Sequence, residues 1–176
     1  MKKYSILILL FIFSLDLYAK VFISPEKAIR ENFSTATEIT KKVLTLSSKK
    51  VKQIQKEAKA TLKKNHFTIY IAKDIKEKIV GYGILINKKV RSKNAVILYL
   101  IKNNTLQSIE IIAFNEPQEY LPSKSWQEQF REKRTDKMLH LGKEIPTITG
   151  ATLSAKSVTD GSRIAFALYN EIIEGK

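Results

Sequence analysis

The chain of 176 residues contains no cysteine. That excludes a disulfide, a thiolate metal centre and a cysteine nucleophile, and it makes an oxidising compartment tolerable without requiring one. Histidine is almost as scarce. His66 and His140 are the only two, and neither has a spaced partner that would make a metal centre or a catalytic pair. Ser157 and Asp160, three apart, read as helix capping or a surface pair, not as half of a triad. No catalytic residue and no metal ligand is assigned.

Acidic residues are few: 17 against 31 Lys and Arg, a formal net charge of +14. Such an excess suggests nucleic acid, but no arginine-rich arm or finger motif is present. The lysines are mixed with acids, as in Lys56-Glu57, Lys73-Asp74 and Lys76-Glu77-Lys78. The excess reads as a solvated basic surface that faces anionic lipid or an acidic redox partner.

Only one long hydrophobic run occurs, Ile6 to Phe13, preceded by Lys2 and Lys3 and followed by Leu17-Tyr18-Ala19. The run is shorter than the roughly 20 residues of a bilayer span, and Asp16 argues against one. The layout is that of a secretory signal peptide over residues 1–19, with an uncleaved N-terminal anchor as the other reading. With no cysteine after the run, a lipoprotein anchor is excluded. The remaining residues 20–176 suffice for one domain with a core.

Ser24-Pro25-Glu26-Lys27 reads as a helix start, with serine as N-cap and proline at the first helical position. A second helix is expected between Ser47 and Lys64, with Val51, Ile54, Ala58 and Leu62 as its apolar stripe. Strand signals follow at Phe67–Ala72, Ile79–Ile86, Val96–Ile101 and Gln107–Phe114, the last two separated by the turn Lys102-Asn103-Asn104-Thr105. Gly81 and Gly83 inside a strand mark a bulge or a close approach to the backbone. Pro117 and Pro122 then forbid a continuing central strand. A short helix begins near Ser125, with Trp126 and Phe130 on one face as core packing. A closing helix runs from Ser154 or Ala155 to about Ile173 and ends at Gly175. Its Gly161 would permit close backbone contact. The fold class is α+β: an antiparallel sheet of about four or more strands packed with N-terminal helices and a C-terminal helix.

Ahead of the closing helix stands Thr149-Gly150-Ala151-Thr152, followed by Leu153-Ser154. Two hydroxyls and a small-residue backbone at a helix entrance suit a phosphate, because unpaired N–H groups and the positive dipole end point outward there.

The order of these pieces resembles the FMN-binding domain of the flavin-carrying subunits of Rnf and sodium-pumping quinone reductase complexes and of related extracytoplasmic flavoproteins. Its strongest elements are Ile148-Thr149-Gly150-Ala151-Thr152-Leu153-Ser154 and Trp126-Gln127-Glu128-Gln129-Phe130, and the likeness runs from about Pro25 to the end. The resemblance implies a single FMN-binding domain over 20–176. It implies FMN as cofactor, esterified through its phosphate to Thr152 by a flavin transferase that uses FAD, or held noncovalently. Thr149, Gly150, Ala151, Leu153 and Ser154 would surround the phosphate, and Glu116 and Tyr120 would lie near the flavin. The family's attachment motif has an aspartate three residues before its first Ser/Thr, where this chain has Pro146. The implied role is electron relay between membrane or periplasmic redox proteins, in the periplasm or at the outer face of the inner membrane. A small-acceptor flavin reductase and a flavin-free binding or assembly module are the alternatives.

Overall fold

The structure, a computed structural model, describes residues 20–174. The leader expected over residues 1–19 and the helix stop expected at Gly175 lie outside the described residues. Five long antiparallel strands form the sheet: β2 (Glu38–Thr45), β3 (His66–Lys73), β4 (Ile79–Lys89), β5 (Asn94–Lys102) and β6 (Thr105–Phe114). A two-residue strand, β1 (Lys20–Val21), pairs with the end of β6, giving the order β1-β6-β5-β4-β3-β2. The α+β class and the antiparallel sheet with N- and C-terminal helices are as expected from the sequence.

Alternation along the strands divides the core in two. Tyr82, Ile84 and Ile86 of β4, with Ile97, Tyr99 and Ile101 of β5, point toward α2 (Ser48–Ala58) and α4 (Thr152–Glu174). Tyr70, Ala72, Leu98 and Leu100 point the other way, toward Ala28, Ile29 and Phe33 at α1 (Pro25–Asn32). Gly81 and Gly83 explain how α1 lies so close. The Phe33 ring fills the space where a Gly81 side chain would begin, and a Cβ on Gly83 would come within 3.3 Å of Ile29. The register also slips beside Gly81: Ala72 pairs with Gly81 but Lys73 with Ile79, so Val80 is bulged. Both readings of these glycines hold at Gly81.

Three differences from the sequence reading have local causes. Edge strand β2 carries no fully buried residue: Ile39 and Leu44 lie on opposite faces and are only partly buried. Without an apolar face it lacks the alternation that reveals a half-buried strand, leaving only its β-branched content. Helix α2 stops at Ala58, six residues before the expected limit. Lys59 turns left-handed (φ 46°), and the Gln55 carboxamide oxygen accepts the Leu62 N–H at 2.9 Å. Leu62 therefore reaches the core from a loop. At the far end, α4 begins at Thr152, two residues early, which makes Thr152 part of the helix.

The turn after β5 has Asn103 and Asn104 both at positive φ, 51° and 58°, the conformation of a tight hairpin that asparagine tolerates. Tyr99 and Gly161 lock α4 to the sheet. The Tyr99 hydroxyl lies where a Gly161 side chain would stand and donates to the Val158 carbonyl at 2.8 Å.

Candidate functional site

Helices α1, α2 and α3 (Lys124–Gln127) each start behind a serine, Ser24, Ser47 and Ser123, whose hydroxyl accepts a backbone N–H of the first turn. Helix α4 starts differently. Ile148-Thr149-Gly150-Ala151 forms a turn closed by the Ala151 N–H on the Ile148 carbonyl (3.1 Å), with Gly150 at φ 78°. Positive φ at the third residue of such a turn requires glycine at little cost. Ala151 then stands at the cap position, its carbonyl accepting the Ala155 N–H (3.1 Å), and a methyl group caps nothing. The first-turn N–H groups of Thr152, Leu153 and Ser154 have no acceptor inside the helix by its geometry.

Thr152 is exposed, and its hydroxyl donates to the Ile148 carbonyl at 3.3 Å. Thr149 and Gly150 are exposed as well, while Ala151 is buried. Ser154 is 1% exposed, and its Oγ has no hydrogen-bond partner. A buried hydroxyl without a partner costs about 1–3 kcal/mol, so its retention calls for an explanation.

A cavity of about 240 Å³ lies beside this first turn, with Ser154 in its wall although the Oγ itself is shielded. Its walls are Gly150, Ala151, Thr152, Leu153 and Ser154 on one side and Val90, Arg91, Glu116 and Tyr120 on the other. Of the residues expected near a flavin, all but Thr149 line it. The structure therefore joins the Glu116 loop and the α4 entrance, 36 residues apart in sequence between Glu116 and Thr152, in one place.

Glu116 acts on the loop between β4 and β5. Its Oε1 accepts the backbone N–H groups of Arg91 (3.0 Å), Ser92 (2.6 Å) and Lys93 (2.7 Å), and the Ser92 hydroxyl donates to Oε2 at 3.2 Å. Three successive N–H groups converging on one oxygen form an anion nest, filled here by the chain's own carboxylate. The Lys93 N–H leads in holding the Glu116 carboxyl below the usual carboxylate range, against the burial that would raise it. The clamped loop carries Arg91, whose guanidinium carbon lies 6.0 Å from the centre of the Tyr120 ring. Arg91 is the cation of this cavity, and the sequence reading did not single it out. Nothing in the local sequence marks it, because the loop's shape is set by a carboxylate 25 residues away.

The Trp126 helix supports the other approach to the turn. Trp126 and Phe130 are buried edge to face, 5.2 Å between ring centres, as core residues. The Trp126 indole N–H donates to the Pro146 carbonyl at 2.8 Å. Pro146 thus serves by its backbone carbonyl. Glu144 is engaged elsewhere: it accepts the His140 backbone N–H (2.8 Å) and contacts its Nδ1 (3.0 Å). The His140 backbone donor leads in lowering the Glu144 carboxyl from its ordinary value.

A larger groove of about 770 Å³ adjoins the small cavity, sharing Val90 and Leu153 with it. It runs between the loop after α2, strands β3 and β4, and the first turns of α4. Asp160 lies along it, 13% exposed, holding Lys156 (2.9 Å), Lys88 (3.7 Å) and Arg163 (2.6 Å). Ser157 donates to the Lys89 carbonyl at 3.3 Å. These two residues therefore join α4 to other elements, in contrast to the capping or surface pair expected of them. Among the described residues no group of three or more His, Asp or Glu converges as metal ligands would, and no helix is long and apolar enough to cross a membrane.

Compared with protein-family models and with curated proteins, the chain matches none.

Proposed function

We propose that this protein is an exported flavin carrier that holds FMN at the α4 entrance and passes electrons between redox partners outside the cytoplasm. The observation that carries the reading is the uncapped first turn of α4, whose Thr152, Leu153 and Ser154 line one cavity with Arg91, and whose shielded, unpartnered Ser154 hydroxyl a rotamer change would turn toward it. An uncapped helix start, a spare hydroxyl and a guanidinium suit a phosphate, whether the dianion of free FMN or the monoanionic diester formed on Thr152. The residues present therefore fit the phosphate end of FMN.

Thr152 is the attachment residue in this reading. Its Oγ1 forms a bond to the flavin-side phosphorus of FAD, the pyrophosphate linkage breaks, AMP leaves, and the hydroxyl proton passes to a base of the flavin transferase. Exposure of Thr152 beside Gly150 leaves room for that enzyme. The Leu153 and Ser154 N–H groups, the Ser154 hydroxyl and Arg91 hold the phosphate, and Tyr120 closes the cavity wall. Bound FMN supplies one- and two-electron chemistry, and the protein supplies position and charge. A tether keeps the cofactor in a compartment where flavin is not replenished. The lysine-rich surface fits an acidic redox partner or an anionic membrane.

Intact mass of the chain exported from a host with an active flavin transferase tests the reading. The expected result is the added mass of an FMN phosphoryl group, lost in Thr152→Ala and kept in Thr149→Ala. An unmodified wild-type chain that also releases all yellow colour on dialysis overturns it.

A further inference from the structure

The 770 Å³ groove is within the roughly 300–1,000 Å³ of small-molecule sites, and its walls combine two features. Leu62, Phe67, Ile86, Val90 and Leu153 give it apolar surface suited to a flat ring. Its charged lining is one-sided: Lys63, Lys64, Lys88, Lys89 and Lys156 against Asp160 alone. Of these lysines, Lys88 stands apart. It projects from β4 on the side of the sheet that faces α4, its side chain only 18% exposed, 3.7 Å from an Asp160 carboxylate already closer to Lys156 and Arg163.

Three cations thus share one carboxylate, and the most buried of the lysines has the longest contact. Burial pulls the Lys88 ammonium below its ordinary value; Asp160 opposes that, and Lys156 and Arg163 add to it. A half-buried cation with too little counter-charge is costly by itself. A ligand that brings negative charge into the groove relieves that cost. The groove opens onto the same Leu153 that flanks Thr152.

We propose that Lys88, held by Asp160 in the groove beside α4, is the cation that favours the reduced, anionic form of the flavin ring. The inference rests on the flavin-carrier reading of the Thr152 turn and adds a seat and a charge for the ring. Lys88 acts through its field on the ring's redox balance, and its charge rather than its size is the property that matters.

The test has two arms. In the first, the FMN-loaded exported chain is titrated spectroelectrochemically as wild type, Lys88→Gln, Lys88→Arg and Lys156→Gln. Lys88→Gln is expected to lose about tenfold in preference for the reduced over the oxidised ring, about 30 mV lower for a two-electron couple. Lys88→Arg keeps the wild-type potential, and the more exposed Lys156 changes it by less than threefold. In the second arm, the Thr152→Ala chain, with and without Lys88→Gln, is titrated anaerobically with reduced and oxidised riboflavin. Riboflavin has no phosphate and cannot be linked. Reduced riboflavin is expected to bind more tightly than oxidised, with that preference falling about tenfold in the Lys88→Gln form. Melting curves of the variants report folding separately, and removal of a half-buried charge leaves the fold intact. A loaded chain whose potential is unchanged in Lys88→Gln overturns the inference while the Thr152 reading stands. An unloaded chain whose riboflavin preference depends on Lys88 supports the ring seat while the attachment reading falls. No flavin mass, no FMN retained on dialysis and no riboflavin binding overturn both.

Discussion

The hydroxyl of Tyr99 occupies the position that a side chain on Gly161 would need, and from there it donates to the Val158 carbonyl one turn back in α4. The long helix is thereby seated on the sheet by a glycine and a buried phenol that fit only each other. Burial pushes the Tyr99 hydroxyl well above its usual pKa, so it remains a donor throughout the working pH range.

Gly161→Ala should therefore destabilise the fold by about 3 kcal/mol, from overpacking plus a displaced buried hydrogen bond. Tyr99→Phe alone should cost about 1 kcal/mol. The double variant should be less damaged than the sum, with coupling of about 1 kcal/mol or more, since phenylalanine removes the atom that clashes. The next ring carbon would still lie 3.0 Å from the new methyl, so rescue is partial. Urea unfolding of the four proteins measures the cycle; strict additivity would contradict the packing described.

Ser154→Ala should separate stability from binding. The hydroxyl satisfies no partner within the fold, so its loss should leave stability unchanged or raise it by about 1 kcal/mol. On a Thr152→Ala background, where no tether masks affinity, it should weaken noncovalent FMN by about tenfold, the worth of one hydrogen bond to a charged group. Equilibrium dialysis and thermal melts check the two signs independently.

Glu116 predicts a pH dependence. Its carboxyl is held low in the folded chain, so its contribution is full above the unfolded carboxyl's range and is lost as pH falls through the folded value. Glu116→Gln keeps one oxygen for the three N–H groups and should cost about 1 kcal/mol at neutral pH. Glu116→Ala leaves the nest empty and should cost about 3 kcal/mol. The gap between wild type and Glu116→Gln should close on acidification in denaturation curves taken from pH 7 downward.

What the sequence disclosed follows physical lines. Helix α1 and the start of α2 were legible because serine caps are local chemistry, and the inner strands because burial imposes a pattern on side chains. Edge strand β2 has no buried face to impose one. The early stop of α2 depends on the Gln55 side chain competing for the backbone, which no periodicity records. At the candidate site the turn itself was readable from Gly150 and its small neighbours, a pattern common ahead of helices that names no ligand by itself. Arg91 and Lys88 were not, because each gains its place from a distant carboxylate, Glu116 or Asp160. Asp160 left a partial trace in Lys156 four residues before it and Arg163 three after, the spacing of an ion-paired helix face.

The indole of Trp126 has an optical consequence. It is the only tryptophan of the chain, and its N–H is bonded to the carbonyl of Pro146, two residues before the turn that begins at Ile148. Excited at the long-wavelength edge where tyrosine does not absorb, the protein therefore emits from one ring, fixed to the segment that leads into the α4 entrance. Strain, release or ordering of that segment will move a single emission band, and an acceptor chromophore bound nearby will dim it. The chain thus carries its own unlabelled lamp at the place where a ligand is expected.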